Sequence, residues 1–201
     1  MKKLFLLNIL LILGITSAAI AQEKDIKDLY MDYSVARMDP DSIPRAISTA
    51  LALLNRSSEL NEKQIANVNF HLGRIYETNG AADKAIPYYE QAIKLSPGYY
   101  VTYRALGYIN LRKCDTLGRK VSESVKLKNV AMNQEAYKAY KIQVQKTIAY
   151  FEKSQACEPD DDNLNILKSL YTGIKDTTLL TTLPDRLTAL GKDCITLLDD
   201  E

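Results

Sequence analysis

Tryptophan is absent from this chain and histidine occurs once, as His71, between Phe70 and Leu72. With no second histidine or cysteine beside it, His71 offers neither a metal-ligand spacing nor an imidazole pair, and a structural or surface role fits it better. The eight glycines are scattered, so no phosphate-cradling loop forms, and no nucleophile motif or zinc spacing is present. The three cysteines, Cys114, Cys157 and Cys194, include no Cys-x-x-Cys pair, which argues against redox catalysis. These absences point away from an enzyme and call for no cofactor and no metal. Thirteen tyrosines beside three phenylalanines suit helix-packing positions and amphipathic surfaces without marking a site.

A long apolar run occurs once. Lys2 and Lys3 precede Leu4–Ile15, and the stretch closes on Ala19-Ile20-Ala21 before Gln22. A basic start, an apolar middle and small residues at the end read as a secretory signal peptide over residues 1–21, cleaved after Ala21. The alternative is an uncleaved anchor, since the run is at the short limit for spanning a bilayer. No cysteine follows the small residues, which argues against a lipid-modified terminus. Removing residues 1–21 takes away Lys2 and Lys3 and moves the formal charge from +1 to −1. A near-neutral mature chain lacks the basic field that nucleic-acid binding needs. The expected product is an exported protein, periplasmic or secreted, with no membrane span after cleavage.

What is present is a schedule. From Ala66, the residues Leu72, Gly73, Tyr76, Ala85, Tyr89, Ala92 and Pro97 fall at places 7, 8, 11, 20, 24, 27 and 32 of a 34-residue window, and Asn69 stands at place 4. Leu72 and Tyr76 share one helix face, as do Ala85, Tyr89 and Ala92. The small residues let two antiparallel helices approach, Asn79-Gly80 supplies a left-handed turn, and Pro97 stops the second helix. This spacing resembles the tetratricopeptide repeat, a helix–turn–helix unit, with only the place-4 aromatic missing.

A second copy starts at Tyr100, with Tyr103, Leu106 and Gly107 at places 4, 7 and 8 and its second helix delayed to Thr147, Phe151, Ser154 and Pro159. That delay is an insertion of about 28 residues, at about 112–140 in the chain. Tyr137, Tyr140, Val144, Ile148 and Phe151 form one apolar stripe, so a helix is expected from about 134 to 157, with Asn133 as its cap. Tyr100–Lys113 should pair with the later half of that helix, and residues 114–132 should be irregular or partly helical. A third copy begins near Asp161, with Leu164, Leu167 and Tyr171 in place and a degenerate second helix over 177–191. Upstream, Ile26, Leu29, Tyr30 and Tyr33 suggest a helix, and Ser42 with Pro44 starts another. The expected fold is all-α: a TPR-like right-handed helical solenoid of about four helix pairs over residues 22–201, one repeat carrying a long insertion.

The resemblance implies a non-enzymatic protein–protein interaction module that holds a protein or peptide in the groove lined by the first helix of each repeat. Carried over at places 2, 5, 9 and 12, the groove residues are Asn67, Phe70, Arg74 and Glu77 in the first clear repeat. In the second they are Val101, Arg104, Tyr108 and Leu111. Two aromatics with two arginines suit an extended peptide bearing an apolar anchor and an acidic group, and plain surface roles stay open for each. The second reading is structural, a homo-oligomeric assembly component built on the extended hairpin.

Export permits a disulfide, and three cysteines leave one thiol over. If a pair forms, Cys157–Cys194 is favoured, because both follow second helices of neighbouring repeats, whereas Cys114 should lie near the hairpin's far tip. The acidic run Glu158–Asn163 lacks the glycine and distal glutamate of a calcium loop and is better placed to face the positive end of the next helix. Residues 112–128 carry six basic and two acidic side chains, either a solvated loop or a docking patch for an acidic protein or anionic membrane.

Overall fold

Local signals set the helix boundaries in the computed structural model, which describes residues 24–198. α1 (Ile26–Ala36) starts at Asp25, whose carboxylate accepts from the Lys27 amide. α2 (Ile43–Asn55) takes Pro44 in its first turn, where a missing N–H costs nothing. α3 (Glu62–Thr78) opens on a reciprocal capping box between Asn61 and Gln64. Gly80, at φ 76°, turns the chain into α4 (Ala82–Leu95), which ends two residues before Pro97. α7 (Asp161–Gly173) is capped by Asp160, which accepts from Asn163, so the acidic run serves the helix start.

The helices pack as successive pairs, α1 on α2 and α3 on α4, followed by a hairpin of α5 (Tyr100–Lys126) and α6 (Val130–Cys157). α7 and α9 (Leu183–Leu190) lean on α6, with the short α8 (Thr178–Thr181) between them. No strand occurs among the described residues, and the chain is an all-α helical repeat solenoid. Among the same residues, no helix is long and apolar enough to cross a membrane. The segment expected to carry the signal peptide lies outside the described residues.

The second repeat departs from expectation. Residues 114–126 continue α5 as regular helix, and α6 begins at Val130, so the insertion lengthens both arms instead of forming an irregular excursion. The turn is tight, with Lys128 at φ 53°, and Asn129, not Asn133, caps α6 by accepting from the Met132 amide. Asn133 instead donates to the buried Ser124 hydroxyl across the hairpin. A polar seam continues inward: Gln143 donates to the Asn110 carbonyl oxygen of its amide at 2.9 Å, and Cys114 Sγ lies 3.2 Å from Thr147 Oγ1. Cys114 is therefore buried midway along α5, not near the hairpin tip. The degenerate last helix is broken in two, with Pro184 in the first turn of α9.

Cys157 and Cys194 are joined by a disulfide with Cα atoms 5.4 Å apart. It ties the segment after α9 to the base of α6. From there the chain runs back past Gly98 to the start of α3.

Candidate partner-binding groove

The residues at Asn67, Phe70, Arg74 and Glu77 recur every three or four positions along α3 and so share one face. The structure gives them different surroundings. Asn67 and Phe70 are almost fully buried, and what covers them belongs to the chain itself. Asn67 Nδ2 donates to the Leu198 carbonyl at 3.5 Å, and Leu198 packs into the aromatic cluster of Phe70, Tyr89 and Tyr99. Asn67 Oδ1 accepts from Arg37 Nη1 at 3.2 Å, which orients its N–H₂ outward. Arg37, at the end of α1, stacks on the Tyr33 ring.

Arg74 is exposed, and its guanidinium has no ion-pair or hydrogen-bond partner among the described residues. Glu77 is committed inside its own hairpin, accepting from the Tyr89 hydroxyl at 2.7 Å. Burial first, and then that carboxylate, push the Tyr89 pKa upward. The Asn69 that replaces the place-4 aromatic is buried and donates back to the Ile65 carbonyl, so its amide is satisfied within α3.

On α5, Val101 is half-buried and joins the same aromatic cluster, so the structure brings the Asn67 end of α3 and the start of α5 together. Arg104 pairs with Glu158 at 2.7 Å and lies over the Tyr100 ring. The charges of Arg74 and Arg104 both act on the Tyr99 hydroxyl, opposing the upward shift that burial imposes. Tyr108 is 40% exposed, packs edge-on against Phe151 at 5.2 Å and donates to Asn163 Oδ1. Leu111 lies apart from the α3 set, in a cleft of about 720 Å³ between the hairpin and α7 that also reaches Cys114, Tyr140 and Leu170.

Apart from Glu77, which is held inside its own hairpin, the candidates fall into three surroundings. Asn67, Phe70 and Val101 lie at the aromatic cluster against which Leu198 packs. Arg74, Arg104 and Tyr108 form a partly open middle. Leu111 lines the far cleft. Sequence reasoning misses Arg37, Gly98, Tyr99 and the covering segment. Leu197-Leu198, an apolar pair before three acids, is the available signal for the last. Among the described residues, no group of three metal-ligating side chains comes together.

Residues 66–99 match the tetratricopeptide repeat family. The chain therefore contains a tetratricopeptide repeat, and the matched window is the α3–α4 hairpin with the turn that follows. No curated protein and no solved structure matches it.

Proposed function

We propose that this protein is a non-enzymatic interaction module that binds another polypeptide along the α3–α5 face, in the bacterial cell envelope after export and cleavage at Ala21. The observation that carries the reading is the middle of that face. Arg74 and Tyr108 are exposed on the first helices of two successive hairpins, at places the repeat uses for partners, and Arg74 has no ion pair among the described residues. Exposed aromatic and arginine side chains on a rigid helical frame are favoured anchors for protein binding. The Cys157–Cys194 disulfide supports an oxidising compartment.

A photo-crosslinking residue at Arg74 or Tyr108 should capture a protein in the native envelope, whereas one at Pro87, exposed on the outer helix α4, should not. Equal capture from all three positions, or none, would remove the groove from the reading. Amino-terminal sequencing of the mature protein should begin at Gln22.

One observation favours assembly as a second reading. Val125, Leu127 and Val130 are 62%, 62% and 70% exposed at the turn of the α5–α6 hairpin, an apolar tip set among Lys120, Lys126 and Lys128. Light scattering separates the two readings: a monomer favours a foreign partner, and a dimer that persists on dilution favours self-association.

A further inference from the structure

The face described above is already in use at one end. Beyond the disulfide, residues 194–198 leave the helical stack and run alongside the turn between α4 and α5. The Ile195 amide donates to the Gly98 carbonyl at 2.9 Å, and Tyr99 and Ile195 form a parallel bridge. Two residues on, the Leu198 carbonyl receives the Asn67 amide and the Leu198 side chain enters the Phe70–Tyr99 cluster. Main-chain hydrogen bonds to an extended segment with one side chain in an aromatic pocket is a recurring mode of peptide recognition.

The approach at Gly98 is close. A Cβ there would lie 2.0 Å from the carbonyl oxygen of Asp193, the residue just before the covering segment, and 2.7 Å from Ile195 Cγ1 within it. Gly98 does not have a positive φ, so space for this segment, not backbone conformation, is what an added methyl would violate.

The seating is nonetheless loose. A gap of about 330 Å³ persists between Ile195, Leu197, Leu198 and the ends of α3 and α4, and Leu197 is 73% exposed. The segment makes two polar contacts to the groove and only partly buries one apolar side chain, that of Leu198. Charge adds a direction. Arg37 adjoins the Leu198 end through Asn67 and has an unpartnered buried Nε, and the unpaired Arg74 lies two turns further along the same face of α3. In sequence, Leu198 is followed by Asp199, Asp200 and Glu201, which lie outside the described residues.

We propose that residues 194–198 are a displaceable resident of the groove, and that the partner is an extended polypeptide of like chemistry: a leucine-type residue in the Leu198 place followed by carboxylates. This deepens the interaction reading above and rests on it. Asn67, held by Arg37, reads a main-chain carbonyl. Phe70 and Tyr99 read the apolar side chain, and Arg37 and Arg74 read the acids. The disulfide keeps the resident close, at an effective concentration on the order of millimolar, so that only a better-fitting partner replaces it.

The probe is a dye-labelled peptide with the sequence of residues 195–201, added to the full chain and to its Gly98→Ala and Cys157→Ser/Cys194→Ser variants. Thermal unfolding should show each variant to be folded, and the Ile195 amide should exchange slowly in the unsubstituted chain and fast in Gly98→Ala, with α3 and α5 amides unchanged. Affinity for the probe should rise about tenfold or more in both variants. It should fall back when Phe70→Ala or Asn67→Ala is added, or when the probe carries Leu198→Ser. Equal affinity in all three proteins overturns the proposal, as does an Ile195 amide that exchanges freely in the unsubstituted chain. Absence of probe binding to Gly98→Ala with Ile195 released overturns the ligand chemistry. If crosslinks at Arg74 and Tyr108 survive any of these results, the broader interaction reading stands and only this one falls.

Discussion

Arg186 grips the Glu152 carboxylate with two nitrogens, Nε at 3.1 Å and Nη2 at 2.8 Å, joining α9 to the last two turns of α6. The Tyr171 hydroxyl donates to the same carboxylate at 2.8 Å, so three helices converge on one buried anion. Glu152 side-chain exposure is only 8%, and removing its cation would leave that charge without compensation. Breaking such a pair from one side costs more than the pair contributes. Arg186→Ala should destabilise the fold by about 3 kcal/mol, measured by urea unfolding. Arg186→Ala with Glu152→Gln should recover part of the loss. A loss under about 1 kcal/mol for the single variant would mean that water reaches the carboxylate.

Gly73 and Gly107 stand at the same place of successive repeats and face rings on the partner helix, yet the spaces differ. A Cβ at Gly73 would lie 2.8 Å from two atoms of the Tyr89 ring, whereas one at Gly107 would lie 3.1 Å from Phe151. Overpacking of this kind typically costs about 1–3 kcal/mol, against a gain in helix propensity of up to about 1 kcal/mol. Gly73→Ala should therefore lower the melting temperature clearly. Gly107→Ala should be close to neutral, and the reverse order would contradict the packing described.

The α3–α4 hairpin is legible in sequence because close helix approach dictates residue size at fixed intervals: Gly73, Ala85, Tyr89 and Ala92 cannot be exchanged freely. The long α5–α6 arms are less so. Buried places there are held by Asn110, Cys114, Ser124 and Thr147, which bond to one another or to Gln143 and Asn133, and a search for apolar stripes passes over them. The face of α3 can be read from repeat places, but its occupant cannot. The contact between Asn67 and Leu198 joins residues 131 apart with no periodicity to announce it. Steric facts such as the Gly98–Asp193 approach exist only after the chain has closed on itself.

The disulfide and the free thiol should behave oppositely. Cys157 and Cys194 are 37 residues apart, and a crosslink closing a loop of that length stabilises by about 3–4 kcal/mol through the unfolded chain. Cys157→Ser/Cys194→Ser should lose about that much in chemical unfolding, less any strain relieved. Cys114 is buried, and desolvation, the largest influence on it, raises its thiol pKa. In the native protein it should react with a thiol reagent at the rate of global unfolding. Immediate labelling would place Cys114 at the surface of the hairpin.

His71 makes stability depend on pH. Burial, followed by the charges of Arg37 and Arg74, lowers its pKa from 6.5 to about 3. The neutral ring stands edge-on to Phe70, 4.9 Å between centroids, beside the groove. In the unfolded chain the ring takes up a proton near pH 6.5, while in the folded chain it resists protonation until about pH 3. Between those values the unfolded state binds more protons, so stability is complete above pH 6.5 and falls as pH drops. The limiting slope is about 1.4 kcal/mol per pH unit, reduced by whatever water reaches the half-buried ring. Comparing urea midpoints at pH 7 and pH 5 for the unsubstituted protein and His71→Gln isolates this group, since carboxylates contribute alike to both. His71→Gln should show the shallower decline, and identical declines would mean that His71 is solvated enough to titrate normally.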